Sequence, residues 1–331
     1  MSFPKQAVAL CYGLFFLVLL SSCSSTALDK NNHPISTANI AYPDNSKLIE
    51  VPFFPQKKYH CGPAALAGIF NFYQMEIQPD AIADQIYLPE RKGSLQIEIK
   101  AAARRADFLP YELSGGIENL LLEVDAGNPV LVLQNLAFSW KPQWHYAVVV
   151  GYDKNKQQVI LHSGTHANYR LDISTFINTW QRADSWALVI TPVANMPVTA
   201  EAKNYLREAS TLESVGKGSV AVQAYQQALL KWPDNDLALI GMGNFYYQQQ
   251  HYQQAVEAFL RVTQVQKNNP AAWNNLAYAL QKQGCYDLSL QAAEQAVELA
   301  SNKELYLESQ QELQAAYIKA KVSNYCAALE L

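Results

Sequence analysis

Two residues of this chain, Cys61 and His145, stand in surroundings that suit a thiol nucleophile and its base. Cys61 is followed at once by Gly62-Pro63 and by an apolar, Ala-rich run ending at Phe70. Pro63 fits the first turn of a helix, where a missing N–H leaves no bond unmade. Cys61 is therefore expected at or just before a helix N-terminus. There the unpaired N–H groups and the helix dipole favour negative charge, and a lowered thiol pKa is the expectation. Gln56, in the loop just upstream, carries an amide able to donate to an oxyanion. His145 stands at the mouth of the strongly apolar run Tyr146–Tyr152, read as a strand. A free cysteine is more often a small buried apolar residue. An early Cys and a later His, brought together by the fold, are the arrangement of a nucleophile and its base.

The end of the next strand should lie beside the candidate base. Tyr146–Tyr152 and Gln158–His162 are separated by Asp153-Lys154-Asn155-Lys156, a hairpin by composition. A turn centred between Lys154 and Asn155 pairs Ala147 with His162 and puts position 162 on the face of His145; a turn centred on Lys154 sets His145 opposite Ser163. Both registers bring the strand end beside the base, where His162 or Ser163 can accept a hydrogen bond from the ring. Neither stabilises an imidazolium as a carboxylate does. Asp153 and Asp172 are the nearby carboxylates, read as a turn residue and a helix N-cap. Trp140, Trp144 and Trp186 flank the region, as cleft walls or as packing over the sheet.

Gln56, Cys61-Gly62-Pro63-Ala64 and His145-Tyr146-Ala147-Val148-Val149 together resemble papain-like cysteine peptidase family 39, whose best-known members remove double-glycine leaders from bacteriocin precursors. The resemblance spans roughly residues 48–193. It looks closest to a lipoprotein branch that couples this domain to tetratricopeptide repeats. It implies a papain-like fold in which Cys61 and His145 are catalytic and Gln56 helps hold the oxyanion. Family members commonly show Asp-Pro where this chain has His162-Ser163-Gly164, so the third catalytic position departs from the pattern.

Residues 1–22 read as a secretory signal: Lys5 in the n-region, then an almost wholly apolar run from Ala7 to Leu20, too short for a comfortable membrane span. Leu20-Ser21-Ser22-Cys23 resembles the bacterial lipoprotein box, which implies lipidation of Cys23. Ser24 is not an acidic inner-membrane retention signal, so the outer membrane of a Gram-negative cell, facing the periplasm, is the expected location. Residues 23–46 are rich in Ser, Asn, Thr and Asp and read as a flexible tether.

Half of the 331 residues are apolar and the net charge is −4, with both signs interspersed, which allows two sizeable cores and gives no sign of nucleic-acid binding. No Cys/His spacing for zinc occurs, and neither a metal nor a cofactor is expected. Cys285 and Cys326 are left over, either paired in an oxidising compartment or free within a core.

Three amphipathic helices, near Asp80–Tyr87, Ser94–Ala106 and Gly116–Ala126, should precede the strand Val130–Leu136, so the sheet is expected after the helices. Arg104-Arg105 read as a solvated face. Ser185–Ile190 reads as the closing strand of a peptidase domain spanning 47–197. Beyond it the pattern repeats every 34 residues: Tyr205, Leu239 and Trp273; Ala221, Ala255 and Ser289; Tyr225, Phe259 and Ala293; with small residues at Ala209, Gly243 and Ala277. This is the tetratricopeptide signature. Three repeats over 200–303 and a capping helix and tail over 304–331 follow. The fold class is thus an α+β papain-like domain followed by an all-α repeat solenoid. The leading functional expectation is a membrane-anchored periplasmic cysteine peptidase acting on peptide or protein, with the repeats recruiting a protein partner. A non-catalytic peptide-binding or scaffolding lipoprotein remains open, as does, further off, an acyl transferase or amidase on the same Cys-His chemistry.

Overall fold

The computed structural model describes residues 40–43, 45–320 and 326. The expected signal over 1–22, the lipidation site Cys23 and most of the expected tether lie outside the described residues, as does most of the tail. In chain order the first unit comprises β1 (Lys47–Leu48), α1 (Cys61–Phe72), α2 (Pro79–Ile86), α3 (Gln96–Arg105), β2 (Phe108–Glu112), α4 (Gly116–Asp125), β3 (Val130–Asn135), β4 (Trp144–Asp153), β5 (Gln158–Ser163), β6 (His166–Asp172), α5 (Ile173–Gln181) and β7 (Ala187–Pro192). The strands form an antiparallel sheet in the order β2-β7-β3-β4-β5-β6, and β1 pairs with β4 beyond the end of β3, Lys47 opposite Tyr152. The near-continuous apolar runs of β3 and β4 fit their central, buried positions. The α+β class is as the sequence implies, with one correction: the sheet does not wait for the helices. β1 and β2 come earlier, and β2 lies at the edge beside β7.

Between β1 and α1 the chain forms a strap across the sheet. Ile49 N–H donates to Val150 C=O at 2.7 Å, and Gln56 N–H donates to Gly164 C=O at 3.1 Å in the turn between β5 and β6. Helix α1 is buried from Gly62 to Phe70. Its small residues allow that enclosure: a Cβ on Gly68 would stand 2.8 Å from the carbonyl oxygen of Pro52 in the strap. The C-terminal part of the expected tether is also packed, since Ile40 is buried and the ring of Tyr42 lies 6.2 Å from that of Tyr152.

The β4–β5 register follows neither expectation. Val148 pairs with His162 and Val149 with Leu161, then a bulge shifts the pairing to Gly151 with Ile160. The turn is longer than the hairpin reading assumed: Lys154–Gln157 lie outside the ladder, Gln157 takes φ 51°, and Lys156 N–H donates to Asp153 Oδ1 at 3.1 Å. Asp172 does occupy the N-cap position of α5, yet its side chain bonds Gln158 Nε2 at 3.3 Å rather than the helix. Leu95, expected on the apolar face of α3, lies outside the helix and is exposed.

The second unit runs α6 (Ala202–Ser214), α7 (Gly218–Lys231), α8 (Asp236–Gln248), α9 (Tyr252–Val265), α10 (Pro270–Gln283), α11 (Tyr286–Leu299) and α12 (Lys303–Ala320). Local chemistry sets the helix ends. Asn235 and Asn269 cap α8 and α10 through their side chains, Pro270 takes the first turn of α10, and Gly284 ends it at φ 91°. Repeat positions pack as their types require: a Cβ on Gly243 would meet the Phe259 ring at 2.5 Å, and Ser289 Oγ donates to Ala277 C=O at 2.8 Å. Cys285 and Cys326 form a disulfide, pinning the segment after α12 to the start of α11. Among the described residues no helix is long and apolar enough to cross a membrane.

The two units meet. Glu208 of α6, 3% exposed, accepts from Lys100 Nζ at 2.9 Å and Arg104 Nη2 at 2.6 Å on α3. Arg104 is thus not part of a solvated face: the first repeat covers it. Buried Glu123 of α4 accepts from the N–H and hydroxyl of Thr199 at 2.7 and 2.6 Å, fixing the connecting segment. One hydrophobic core runs from Ile40 to Ala238.

Candidate active site

Cys61 opens α1, with His60 at the N-cap. Its helix start is set by a close fit, for a Cβ on Gly62 would stand 3.1 Å from both Ile99 and Ser94 Oγ. The backbone N–H groups of Tyr146, Gly62 and Cys61 itself interact with the sulfur, so the thiol lies against β4 at the residue following His145. These donors favour thiolate, as expected for a helix N-terminus. Burial nevertheless outweighs them, and the Cys61 thiol is pushed above its ordinary value. The lowered pKa expected from the sequence is therefore reversed, because α1 is enclosed by strap, sheet and α3.

His145 Nε2 lies 2.9 Å from Ser163 Oγ. When Nε2–H donates to that hydroxyl, the Nδ1 lone pair is left available for the thiol proton. Burial pushes the His145 pKa below its ordinary value. Both shifts favour the uncharged forms, so the resting pair is a thiol and a neutral imidazole.

The two candidates for the third position separate. Ser163 bonds His145. His162 does not: its Nε2 pairs with Val51 C=O at 2.9 Å and its Nδ1 accepts Asn168 N–H at 3.2 Å. Through these two bonds the ring holds the strap to the sheet. Gln56 is anchored through its backbone to Gly164, one residue beyond Ser163. The strap therefore ties the oxyanion candidate to the turn that carries the orienting hydroxyl. Trp186 is buried edge-on to Tyr146 at 5.9 Å and accepts from Trp180 Nε1, a packing role, whereas Trp140 and Trp144 are exposed. Asp153 takes the turn role and pairs with Arg170 at 3.4 Å.

Sequence reasoning passed over two supports of this site. Tyr146 hydroxyl donates to Ser94 C=O at 3.2 Å, locking the loop before α3 beneath the helix start. Asn135, buried at the end of β3, organises the β3–β4 hairpin, and its signal was the polar pair Gln134-Asn135 closing an apolar strand. Among the described residues no cluster of three His, Cys, Asp or Glu side chains is placed to hold a metal ion.

Comparison with known proteins agrees with this division of the chain. Residues 48–188 match the model of the Peptidase_C39 like family, and residues 243–284 and 270–303 match two models of the tetratricopeptide repeat. The chain thus joins a C39-like peptidase domain to tetratricopeptide repeats. Similar solved structures include one described as a C39-like peptidase from Bacillus anthracis, at 16% identity and TM-score 0.39, covering 45% of this chain and 98% of the other. The peptidase domain of Streptococcus ComA, a bifunctional ABC transporter, is similar at 22% identity and TM-score 0.35, covering 44% and 98%. The repeats are similar to the Sgt2 tetratricopeptide domain of Aspergillus fumigatus, at 20% identity and TM-score 0.35, covering 39% and 93%. No curated protein matches the chain.

Proposed function

We propose that the chain is a membrane-anchored cysteine peptidase of the periplasm, in which Cys61 attacks a peptide bond with His145 as base. The observation that carries this reading is the 2.9 Å contact of His145 Nε2 with Ser163, in a strand whose next residue, Tyr146, lies against the Cys61 sulfur. His145 Nδ1 takes the thiol proton as sulfur bonds to the carbonyl carbon. The Cys61 N–H and the Gln56 amide hold the oxyanion, and the imidazolium gives its proton to the departing amine. Water, deprotonated by the same ring, then releases the acid and restores the thiol. The repeats recruit the substrate or an assembly partner. Cys23 as the lipidated residue follows from the sequence alone, and the Cys285–Cys326 disulfide supports an oxidising compartment.

A second reading has its own support: with a hydroxyl beside His145 and a thiol whose burial disfavours thiolate, the domain would hold peptide without cutting it. Reaction of the full chain with an electrophilic peptide, such as a vinyl sulfone, separates the two. Covalent labelling at Cys61 that is lost in His145→Ala supports the peptidase. Tight peptide binding with no adduct at any pH selects the scaffold.

A further inference from the structure

The hairpin between β3 and β4, with the first residue of β4, carries four large apolar side chains: Leu136, Phe138, Trp140 and Trp144, which are 44, 66, 79 and 55% exposed. The Phe138 and Trp140 rings stack, 5.7 Å apart and 10° from parallel. Their backbone is held firmly. Asn135 Oδ1 accepts from Ala137 N–H at 3.1 Å and Gln143 N–H at 2.9 Å, and Leu136 N–H donates to Gln143 C=O at 2.9 Å. Lys141 N–H donates to Phe138 C=O at 3.1 Å, and Arg182 Nε to Asn135 C=O at 3.2 Å. A buried asparagine thus fixes a loop whose apolar side chains face water.

Exposure this high means that the rings stand proud of the surface rather than line a recess. A subsite for one substrate side chain is expected to be concave. A recess of about 430 Å³ does exist in the domain, but it lies along the strap, bordered by Leu48, Phe53, His162 and Asn168. Residues 136–144 contain Lys141 and neither Asp nor Glu. Protruding Trp, Phe and Leu around a lysine match the boundary between headgroups and acyl chains of an anionic bilayer: rings with apolar bodies and polar edges, and a cation at phosphate level.

We propose that the β3–β4 hairpin is a membrane-contact element, inserting Phe138 and Trp140 into the headgroup boundary of an anionic bilayer with Lys141 against its phosphates. Trp144 and His145 are consecutive residues of β4, so this contact holds the strand end that carries His145 at the membrane surface. The contact draws on membrane attachment to bring the chain to a bilayer, and is independent of cleavage.

The test compares the full chain with Phe138→Ser/Trp140→Ser, both reconstituted with vesicles of phosphatidylethanolamine and phosphatidylglycerol, with and without lipid brominated near the ester groups. Flotation reads attachment, and quenching of tryptophan emission reads hairpin contact. The expected result is quenching of the wild type by brominated lipid that is lost in the double variant, while Cys61 labelling by the electrophilic peptide stays the same. Flotation of both proteins with equal or no quenching overturns the hairpin contact and leaves attachment standing. Absence of flotation overturns both. A double variant quenched like the wild type but labelled more slowly at Cys61 by the electrophilic peptide also overturns the proposal and makes the rings a substrate platform. No step of this readout requires hydrolysis, so an inactive enzyme would still report hairpin contact.

Discussion

At the scale of single residues, the hydroxyl of Ser163 decides what the Cys61–His145 pair can do at rest. It can accept from Nε2–H and hold the ring, but it carries no charge to stabilise an imidazolium. Burial raises the thiol and lowers the imidazole, so both shifts oppose proton transfer from Cys61 to His145. Alkylation of Cys61 by a small reagent should therefore be slow at neutral pH and rise only above the pH at which an ordinary exposed thiol ionises. The acid limb of any peptidase activity should fall below pH 6.5, because His145 protonates below its ordinary value. An acid limb near pH 7 or above, seen in a kcat/KM profile, would contradict this assignment. Ser163→Asp should place a carboxylate at the same ring nitrogen and accelerate labelling at neutral pH on the order of 10-fold or more. An unchanged rate in that variant means that the orienting contact does not act on the base. The placement of Cys61 at a helix start and of His145 at the start of β4 was legible because each sits in its own local pattern. The contact of His145 with Ser163 was legible beside His162 as an alternative, but from registers that the structure does not adopt. The actual register includes a bulge at Val150 that accommodates β1: Gly151 lets the Lys47 carbonyl approach so closely that a Cβ there would stand 2.4 Å away. No periodicity within β4 or β5 encodes that third strand.

At the scale of elements, the strap and α1 behave as one device. His162 holds the strap at Val51, Gly164 holds it at Gln56, and Gly68 lets α1 close over Pro52. Gly68→Ala puts a methyl group against backbone on one side and the enclosed helix on the other, where neither can move freely. It should lower stability by about 1–3 kcal/mol, as overpacking does, despite the better helix propensity of alanine. Denaturant midpoints of the two proteins check this, and an unchanged or higher midpoint for the variant would show that the strap is free to shift. Besides β1, two further strands of the sheet were not read from the sequence, for different reasons. β2 contains Pro110, which argues against a central strand, and the structure accommodates it at an edge. β6 is exposed over nearly its whole length, so it has no apolar alternation to read. The repeat helices were legible by contrast, because the same packing problem recurs three times and small residues recur with it at Ala209, Gly243 and Ala277.

At the scale of the molecule, the peptidase domain and the first repeat share a core and a buried ionic junction, so the repeats are held in a fixed orientation to the first unit. That junction was invisible in the sequence: Arg104 and Glu208 lie 104 positions apart, and each alone fits a solvated helix. Glu208 is the group on which the junction turns. Glu208→Ala leaves Lys100 and Arg104, 16 and 13% exposed, facing one another without the buried carboxylate. Removing one partner of a buried charge network is destabilising by about 3–5 kcal/mol, whereas replacing all partners by apolar residues of similar volume can be nearly neutral. The wild type should then unfold with the peptidase domain and first repeat in one calorimetric transition. Glu208→Ala should split it, with the helices of the repeats melting first. The triple variant Lys100→Met/Arg104→Met/Glu208→Met should restore the single transition, since Met can fill the space and the one carboxylate that loses its partner, Glu112, is exposed to water. If the triple variant splits as the single one does, the ion pairs themselves hold the units together. If neither splits, the continuous apolar core and the Glu123–Thr199 contact suffice, and the charges at the interface set direction rather than strength.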